Sequence, residues 1–235
     1  ANHQLRAQIG ERLRAEQQLT YQATHDALTG LPNRPHLLDR LSAAIERARH
    51  GDGQAFAVLF LDLDRFKLVN DSMGHVAGAE LLGEVARRIT LSLRESDVVA
   101  RLGGDEFALL VEYTDGVENV RDFAQRLLAV LGRPMWVAGR ELFPSASLGI
   151  AVWHPRYRNG EELLRDADAA MYRAKEQGRD RCAMFDEAMR EASMPCLDLG
   201  AVLRRALNHP HFPPFYQTIP RICPLDTSDS AADLT

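Results

Sequence analysis

The sequence predicts an α+β domain with one mixed central β-sheet and helices packed on it. Short apolar runs, which indicate buried strands, alternate with longer segments whose apolar residues recur at helical spacing, in the order β-α-β-β-α-β-α-β. Two glycines lie between the second and third strands and predict a hairpin at the centre of the domain. Helices join the other strands. A hairpin combined with helical crossovers implies a mixed sheet covered by helices.

The first half of the domain contains a helix, a strand and a second helix. The first helix is expected from Pro35 to His50, because the glycines of segment 51–53 interrupt it. The strand runs from Phe56 to Asp64 and is apolar until the carboxylates at its end. The second helix is indicated by an apolar stripe at helical spacing, formed by Leu82, Val85, Ile89 and Leu93.

The second half begins with the hairpin around Gly103 and Gly104. A third helix is indicated by the stripe of Val117, Val120, Ala124, Leu127 and Leu131. A strand is then expected from Phe143 to Val152, and a last strand from Arg181 to Phe185. Between them lies a helix that ends near Gly178, with the stripe Leu164, Ala167, Met171 and Ala174.

The composition is that of a globular protein and argues against several classes of function. The 235 residues are 46% hydrophobic and 26% charged, which suffices for one sizeable domain with extensions. A net charge of -5 does not favour nucleic-acid binding, which needs a basic surface. No apolar run approaches the roughly 20 residues of a membrane span. Cys182, Cys196 and Cys223 show no metal or redox spacing, so we expect reduced thiols and a cytoplasmic protein.

Carboxylates stand at the ends of two predicted strands. Asp62 and Asp64 are two residues apart and therefore share one face of a strand. Asp105 and Glu106 are adjacent and therefore point to opposite faces. If the two strands are neighbours, one carboxylate from each can meet across them and form a two-acid site for a divalent cation. The alternative is a plain hairpin with a solvated acidic rim.

Cationic and polar side chains follow the same elements. Lys67, Asn70 and His75 come directly after the first strand, and Lys175 and Arg179 lie near the end of the last helix. Carboxylates for a metal ion together with cations for phosphates suggest a nucleoside triphosphate site. The sequence has no Walker-type glycine loop, so a P-loop protein is not expected. The alternative for the lysines and arginines is a solvated helix surface.

The hairpin sequence resembles the signature of a known family. Residues 103–107 read Gly-Gly-Asp-Glu-Phe, as in GGDEF domains, the diguanylate cyclases. Further blocks of that family stand in the right order on both sides of this signature, at 26–34, 60–67, 70–78, 147–151 and 167–179. The resemblance covers roughly residues 24 to 185 and implies a fold similar to the palm of adenylyl cyclases.

The resemblance also implies roles for the carboxylates and cations. Asp62, Asp105 and the backbone carbonyl of Leu63 are implied to hold Mg²⁺ or Mn²⁺. Either Asp105 or Glu106 is implied to assist deprotonation of a ribose 3′-hydroxyl. The implied phosphate ligands are Lys67, Lys175 and Arg179, with Lys67 also counted among the catalytic residues.

The segment that is implied to bind the guanine base departs from the family pattern at one position. Asn70 resembles the guanine ligand, and His75 stands where the family has a histidine near the substrate. After Gly-His-x-x-Gly the family usually places an Asp that accepts hydrogen bonds from guanine N1 and N2, whereas this chain has Ala79. Alanine offers no acceptor, so both GTP affinity and the preference for guanine are put in question.

A second implied site lies just before the hairpin. The run from Arg94 to Asp97 resembles the family's inhibitory RxxD site, with Arg101 beside it. Arginine can bind a guanine edge or a phosphate with two hydrogen bonds, and aspartate can accept from guanine. These properties suit the product, cyclic di-GMP.

The expected function is condensation of two GTP molecules into cyclic di-GMP by a homodimer. The alternative is a GTP-binding regulatory module that controls a fused EAL phosphodiesterase domain, because residues 197–217 are similar to the opening of such a domain. The expected organisation is a signalling-type helix over 1–23, a GGDEF domain over 24–190, and a linker with a truncated EAL-like start over 191–235. An upstream sensor, and a membrane tether through a missing N-terminal region, are left open.

Overall fold

The computed structural model describes residues 21–51, 54–113, 116–187 and 189. Its helices are α1 (Arg34–Arg49), α2 (Phe66–Ser92), α3 (Val117–Leu131) and α4 (Gly160–Glu176). Its strands are β1 (Ala55–Leu63), β2 (Val98–Gly103), β3 (Glu106–Tyr113), β4 (Met135–Val137), β5 (Arg140–Leu142), β6 (Ala146–Val152) and β7 (Arg181–Met184). The predicted helix over 1–23 lies outside the described residues except for its last three. The EAL-like stretch over 191–235 lies wholly outside them.

The main sheet is mixed, as predicted. Its five strands are ordered β2-β3-β1-β6-β7. The pair β6-β7 is parallel, whereas β1 runs antiparallel to both of its neighbours and β2 runs antiparallel to β3. The sequence missed a small separate hairpin, β4-β5, and placed the start of β6 at Phe143 instead of Ala146. Strands of three residues are too short to show the alternation on which sequence-based prediction depends.

Strand β1 lies between two apolar layers. Ala57, Leu59 and Leu61 point towards the layer formed with α2 and α3. Even-numbered residues such as Val58 and Phe60 point towards the layer formed with α1 and α4. Since side chains alternate along a strand, Asp62 falls on the α1–α4 side at the point where the strand ends.

Helix α2 is interrupted at Gly74, which has φ 84° and ψ 164°. A side chain would strain this left-handed backbone, so glycine suits the kink. The kink brings Gly78 against the first part of the helix, where a Cβ atom would lie 2.0 Å from Asn70 Oδ1. Gly78 therefore lies in close contact with the predicted guanine ligand, and a side chain at this position would displace the Asn70 amide. No helix among the described residues has the length and apolar character to cross a membrane.

Helix α4 approaches strand β6 closely at Gly149. A Cβ atom at this position would lie 2.0 Å from the Ala167 carbonyl oxygen and 2.2 Å from the Met171 nitrogen. Both atoms belong to the helix backbone, so they cannot move aside without displacing the helix. The absence of a side chain at Gly149 therefore sets the distance between the sheet and the helix that carries Lys175.

We expect Gly149→Ala to lower the free energy of unfolding by about 1–3 kcal/mol or more, because the methyl group overpacks the β6–α4 contact. Urea unfolding measures this change. The matched control is Gly83→Ala in α2, where a Cβ atom would meet nothing within 4 Å. That substitution should stabilise the helix by roughly 0.5–1 kcal/mol. Equal effects of the two substitutions would contradict the close approach at Gly149.

Candidate active site

The carboxylates of two neighbouring strands converge at one edge of the sheet. Strands β1 and β3 pair so that Asp62 lies directly opposite Glu106. Asp105 lies in the turn before β3, and its carbonyl oxygen accepts a hydrogen bond of 3.4 Å from the Leu63 amide. The two strands are neighbours, which is the condition for a meeting of their carboxylates, and the register makes Glu106 the cross-strand partner of Asp62.

Helix α4 adds one cation and one further acid to these carboxylates. Lys175 Nζ lies 2.7 Å from Asp62 Oδ1. Asp168, two helical turns before Lys175, is close enough to raise the pKa of Glu106. Sequence reasoning missed Asp168, although its spacing of seven residues from Lys175 places both on the same side of the helix.

The acids at this edge disfavour one another's charge. Burial raises the pKa of Asp62, and the carboxylates of Asp105 and Asp64 raise it further, whereas Lys175 lowers it. Burial is also the main cause of the raised pKa of Glu106, followed by the charges of Asp168, Asp62 and Asp105. A cation at this edge would relieve this repulsion.

The donor set fits a hard divalent ion. Carboxylate and carbonyl oxygens are the ligands that Mg²⁺ and Mn²⁺ prefer. In the described part of the chain, no three acid, histidine or cysteine side chains are grouped as a metal site by themselves. An ion held by Asp62, Asp105 and the Leu63 carbonyl would therefore depend on water or substrate oxygens to complete its coordination.

Asp64 has a different environment from Asp62. Its carboxylate accepts hydrogen bonds from Ser145 Oγ at 2.9 Å, from Ser147 Oγ at 2.8 Å and from the Asp180 amide at 3.1 Å. These contacts join the end of β1 to β6 and to the turn after α4. The Asp64 carboxylate therefore has a structural role beside the site.

The three predicted phosphate ligands have different surroundings. Lys67 is exposed on the first turn of α2, and Lys175 contacts the carboxylates. Arg179 instead lines a cavity of about 390 Å³ that also includes Arg65. Of the two residues implied to lie near the guanine base, His75 is exposed directly after the helix kink and Asn70 is half-buried.

The predicted inhibitory site coincides with a second cavity of about 230 Å³. Arg94, Asp97 and Arg126 line it. Asp97 accepts hydrogen bonds from the Arg94 amide at 2.9 Å and from the Glu112 amide at 3.2 Å. Arg101 does not line this cavity, although the sequence grouped it with Arg94 and Asp97. It lies four residues further along an extended strand, or about 13 Å from Asp97.

Arg101 instead connects the acidic turn before β3 to the loop before α1. Its Nη1 atom lies 2.9 Å from both carboxylate oxygens of Asp26, and its Nη2 and Nε atoms donate to the Gly104 carbonyl at 2.7 and 3.1 Å. Burial alone would raise the pKa of Asp26, but hydrogen bonds from Thr29 and Arg101 hold it below its ordinary value. Gly104 immediately precedes Asp105, so this contact fixes the position of the acidic turn.

The described geometry agrees with the comparison to known proteins. The family model for the diguanylate cyclase GGDEF domain matches residues 23–181. The chain belongs to the GGDEF family. Membership places it among proteins of cyclic di-GMP signalling and confirms the resemblance found in the sequence, whereas no comparison supports the EAL-like stretch.

Two relatives illustrate the range of activities in this family. The bifunctional diguanylate cyclase/cyclic di-GMP phosphodiesterase MucR of Pseudomonas aeruginosa is 44% identical over 204 residues, which are 87% of this chain and 30% of MucR. The cyclic di-GMP phosphodiesterase PdeR of Escherichia coli is 37% identical over 209 residues, which are 89% of this chain and 31% of PdeR. The chain thus spans about a third of the length of these relatives.

Solved GGDEF domains have the same fold. The isolated GGDEF domain of TpbB from Pseudomonas aeruginosa matches with a TM-score of 0.69 and 40% identity, covering 72% of this chain and 99% of that one. The coiled coil and GGDEF domain of DgcB from Caulobacter crescentus, in complex with cyclic di-GMP, matches with a TM-score of 0.67 and 29% identity. This match covers 77% of this chain and 98% of that one.

We expect Arg101→Ala to lower the free energy of unfolding by about 2–3 kcal/mol, because it leaves Asp26 and the Gly104 carbonyl without their charged donor. Urea unfolding near neutral pH measures the loss. The control is Arg47→Ala, which breaks an exposed ion pair of 3.0 Å with Glu112 and should cost at most about 1 kcal/mol.

The pH dependence provides a second check on this contact. A lowered pKa in the folded state means that Asp26 stabilises the protein above 3.8, and that this contribution is lost as the pH falls through its folded pKa. The difference between wild type and Arg101→Ala should therefore shrink in acid. A difference that is constant down to the acid transition would contradict the Asp26–Arg101 pair.

Proposed function

We propose that the GGDEF domain of this chain is a diguanylate cyclase. The observation that carries the proposal is the meeting of Asp62 and Glu106 across β1 and β3, with Asp105 in the adjoining turn and Lys175 at 2.7 Å from Asp62. In the proposed reaction, the 3′-oxygen of one GTP attacks the α-phosphorus of another, and the bond to the leaving pyrophosphate breaks. Two such steps give cyclic di-GMP and two pyrophosphates.

The proposed metal site would be formed by Asp62, Asp105 and the Leu63 carbonyl. Mg²⁺ or Mn²⁺ at this position would supply positive charge next to the phosphates. Asp62 is buried on the sheet while Asp105 lies in the turn, so the two carboxylates approach from different elements. Substrate or water oxygens would complete the coordination of the ion.

The chain's own cations would stabilise the charge that develops on the phosphate oxygens. Lys175 already lies at the carboxylates, and Lys67 stands on the first turn of α2, with Arg179 as the third proposed phosphate ligand. Fixed cations act most strongly when they are positioned before the reaction begins. Lys175 meets this condition best, because its ion pair with Asp62 orients the ammonium group.

The proton of the 3′-hydroxyl needs an acceptor, and we assign this role to Glu106 or Asp105. The raised pKa of Glu106, caused by burial and by the neighbouring acids, makes its carboxylate a stronger base. Its position opposite Asp62 places it at the proposed metal site. These two properties favour Glu106.

The proposed guanine site lacks one of the family's contacts to the base. Asn70, which contacts Gly78, would bind the base, together with His75 directly after the helix kink. Ala79 replaces the family's acceptor for the guanine N1 and N2 donors. We therefore propose that this domain binds GTP weakly and discriminates poorly against ATP.

Homodimer formation and binding of the product are also proposed for this chain. One site holds one GTP, so cyclisation requires two sites that face each other in a homodimer. The cavity with Arg94, Asp97 and Arg126 would bind cyclic di-GMP, because two guanidinium groups can pair with phosphate or guanine oxygens. Arg101 is excluded from this role because its side chain is occupied by Asp26 and Gly104.

A regulatory role is the second candidate function, and Ala79 favours it. In this alternative the domain binds GTP without cyclising it and controls a fused EAL phosphodiesterase. Relatives named as phosphodiesterases are about three times longer than this chain, which leaves room for such a domain. A cytoplasmic location and an upstream sensor remain part of both proposals.

The deciding experiment is to incubate the chain with GTP and Mg²⁺ and to quantify cyclic di-GMP by chromatography. We expect product from the wild type and a loss of roughly 100-fold or more for Asp105→Asn, because a metal ligand is removed. Asp39→Asn, on the exposed surface of α1, is the matched control and should keep full activity.

Each outcome of this experiment separates the candidates. GTP binding by the wild type without cyclic di-GMP would favour the regulatory role. Full activity of Asp105→Asn with normal metal dependence would remove Asp105 from the proposed metal site.

We expect Ala79→Asp to tighten GTP binding by about 1–3 kcal/mol, because the new carboxylate accepts from guanine N1 and N2. ATP lacks these two donors, so its binding should be unchanged or weaker. Val76→Asp is the control, because it adds a carboxylate nearby on a side chain that is 84% exposed. Calorimetric titration of both nucleotides decides the question. A wild type that already prefers GTP strongly, with no gain in Ala79→Asp, would show that another residue reads the base.

A further inference from the structure

The segment that follows β7 is held to the rest of the domain by one arginine. Residues 185–187, called the strap from here on, lie beside the loop between β6 and α4. Arg156 of that loop forms an ion pair with Glu187, and its guanidinium lies 6.0 Å from the ring centroid of Phe185. The Phe185 amide also donates a hydrogen bond of 2.8 Å to the Ile150 carbonyl. The strap is therefore fixed by both side-chain and backbone contacts.

The same arginine reaches helix α4 through two buried side chains. Its Nη2 atom donates to the Tyr157 hydroxyl at 3.4 Å, and its guanidinium lies 5.1 Å from the centroid of that ring. The Tyr157 side chain is 1% exposed, and its hydroxyl donates to the carboxylate of Asp166. Asp166 belongs to α4 and is buried. A continuous series of contacts therefore joins Glu187 of the strap to α4.

The outer and inner contacts of this series differ in how easily they can open. The Glu187 side chain is 72% exposed, and an ion pair of exposed groups contributes little to stability and is screened by salt. The contact between Tyr157 and Asp166 is buried, so breaking it would leave a polar group without a partner. Arg49 of α1 also holds this loop, because it donates to the Tyr157 carbonyl at 3.0 Å. The outer contact can thus open while the inner one stays closed.

Helix α4 joins this network to the acidic edge of the sheet. Asp166 and Lys175 are nine residues apart, which corresponds to about 13 Å along the helix axis. The helix between them packs closely, since Met171 is buried and the backbone lies directly on Gly149. A well-packed element transmits a displacement along its length. A change at Asp166 is therefore felt at Lys175.

We propose that the Arg156–Glu187 pair is a latch that couples the strap to α4. While the latch is closed, Arg156 and Tyr157 hold the first half of the helix in place. When it opens, the helix relaxes and Lys175 shifts relative to Asp62. The sequence continues beyond the strap to residue 235, so a partner that binds or displaces that part of the chain acts on the latch first. The latch gives such a partner a route to the acidic edge.

The test measures hydrogen exchange by mass spectrometry on the full chain, without nucleotide or metal ion. We expect Glu187→Gln to raise the exchange of the strap and of α4 roughly fivefold or more, because both lose the closed latch. In the wild type, salt at about 1 M should have the same effect, because it screens the exposed ion pair. The same salt should have no further effect in Glu187→Gln. Arg156→Lys keeps the charge but not the planar group beside the aromatic rings, so it should give a smaller increase.

Met171 reports on the far half of α4. Its methyl resonance should shift in Glu187→Gln, because the residue lies about one helical turn before Lys175 and moves with it. The measurement needs neither GTP nor a metal ion, so its result does not depend on whether the domain is a cyclase.

The matched control is Glu118→Gln at the start of α3. The Glu118 side chain is 78% exposed and forms an ion pair of 3.5 Å with Arg121, so the substitution removes a comparable contact elsewhere. It should leave the strap, α4 and the Met171 methyl resonance unchanged. Unchanged exchange of the strap in Glu187→Gln, an unchanged Met171 resonance, or an equal effect of Glu118→Gln would overturn the proposal.

Discussion

The register between β1 and β3 is the constraint on which the site depends. Strand β1 is central in the sheet, buried on both faces and paired along its length with β3 and β6. A shift by one residue would turn every side chain to the opposite layer. The packing of residues far from the site therefore determines that Asp62 faces Glu106. The same packing brings Lys175 to them, because Gly149 allows α4 to lie directly on the sheet.

The sequence was sufficient to predict the main elements and the acidic edge of this domain, because each is indicated by a pattern within a single segment of the chain. Helical stripes and buried strands are repeated patterns, and each covers enough residues to be recognised alone. The acids follow from such patterns, because Asp62 ends an apolar strand and Asp105 follows a glycine turn. Pairing of β1 and β3 in the observed register then brings these acids together. The β4-β5 hairpin was missed because its strands contain three residues each.

The partners of the long arginine and lysine side chains could not be predicted from the sequence in the same way. Arg101, Lys175 and Arg179 each have several rotatable bonds, so their partners depend on distant parts of the chain. Arg101 pairs with Asp26, which is 75 residues earlier, instead of reaching the Arg94 cavity. Arg179 follows the end of α4 with a positive φ and lines a cavity, whereas Lys175 contacts Asp62. A family pattern names these residues but does not tell which of them share a site.

The active-site edge also works against the stability of the fold. An acid whose pKa is raised on folding binds protons more tightly in the native state, so stability falls as the pH rises above its unfolded value. Asp62, Glu106 and Asp168 all have raised pKa values, with burial as the first cause. Lys175 offsets part of this effect at Asp62, and its ion pair is partly shielded from solvent. The protein retains mutually repelling acids at the end of its most buried strand. Packing alone would favour apolar residues there, and this supports the proposed role of the acidic cluster in holding a metal ion.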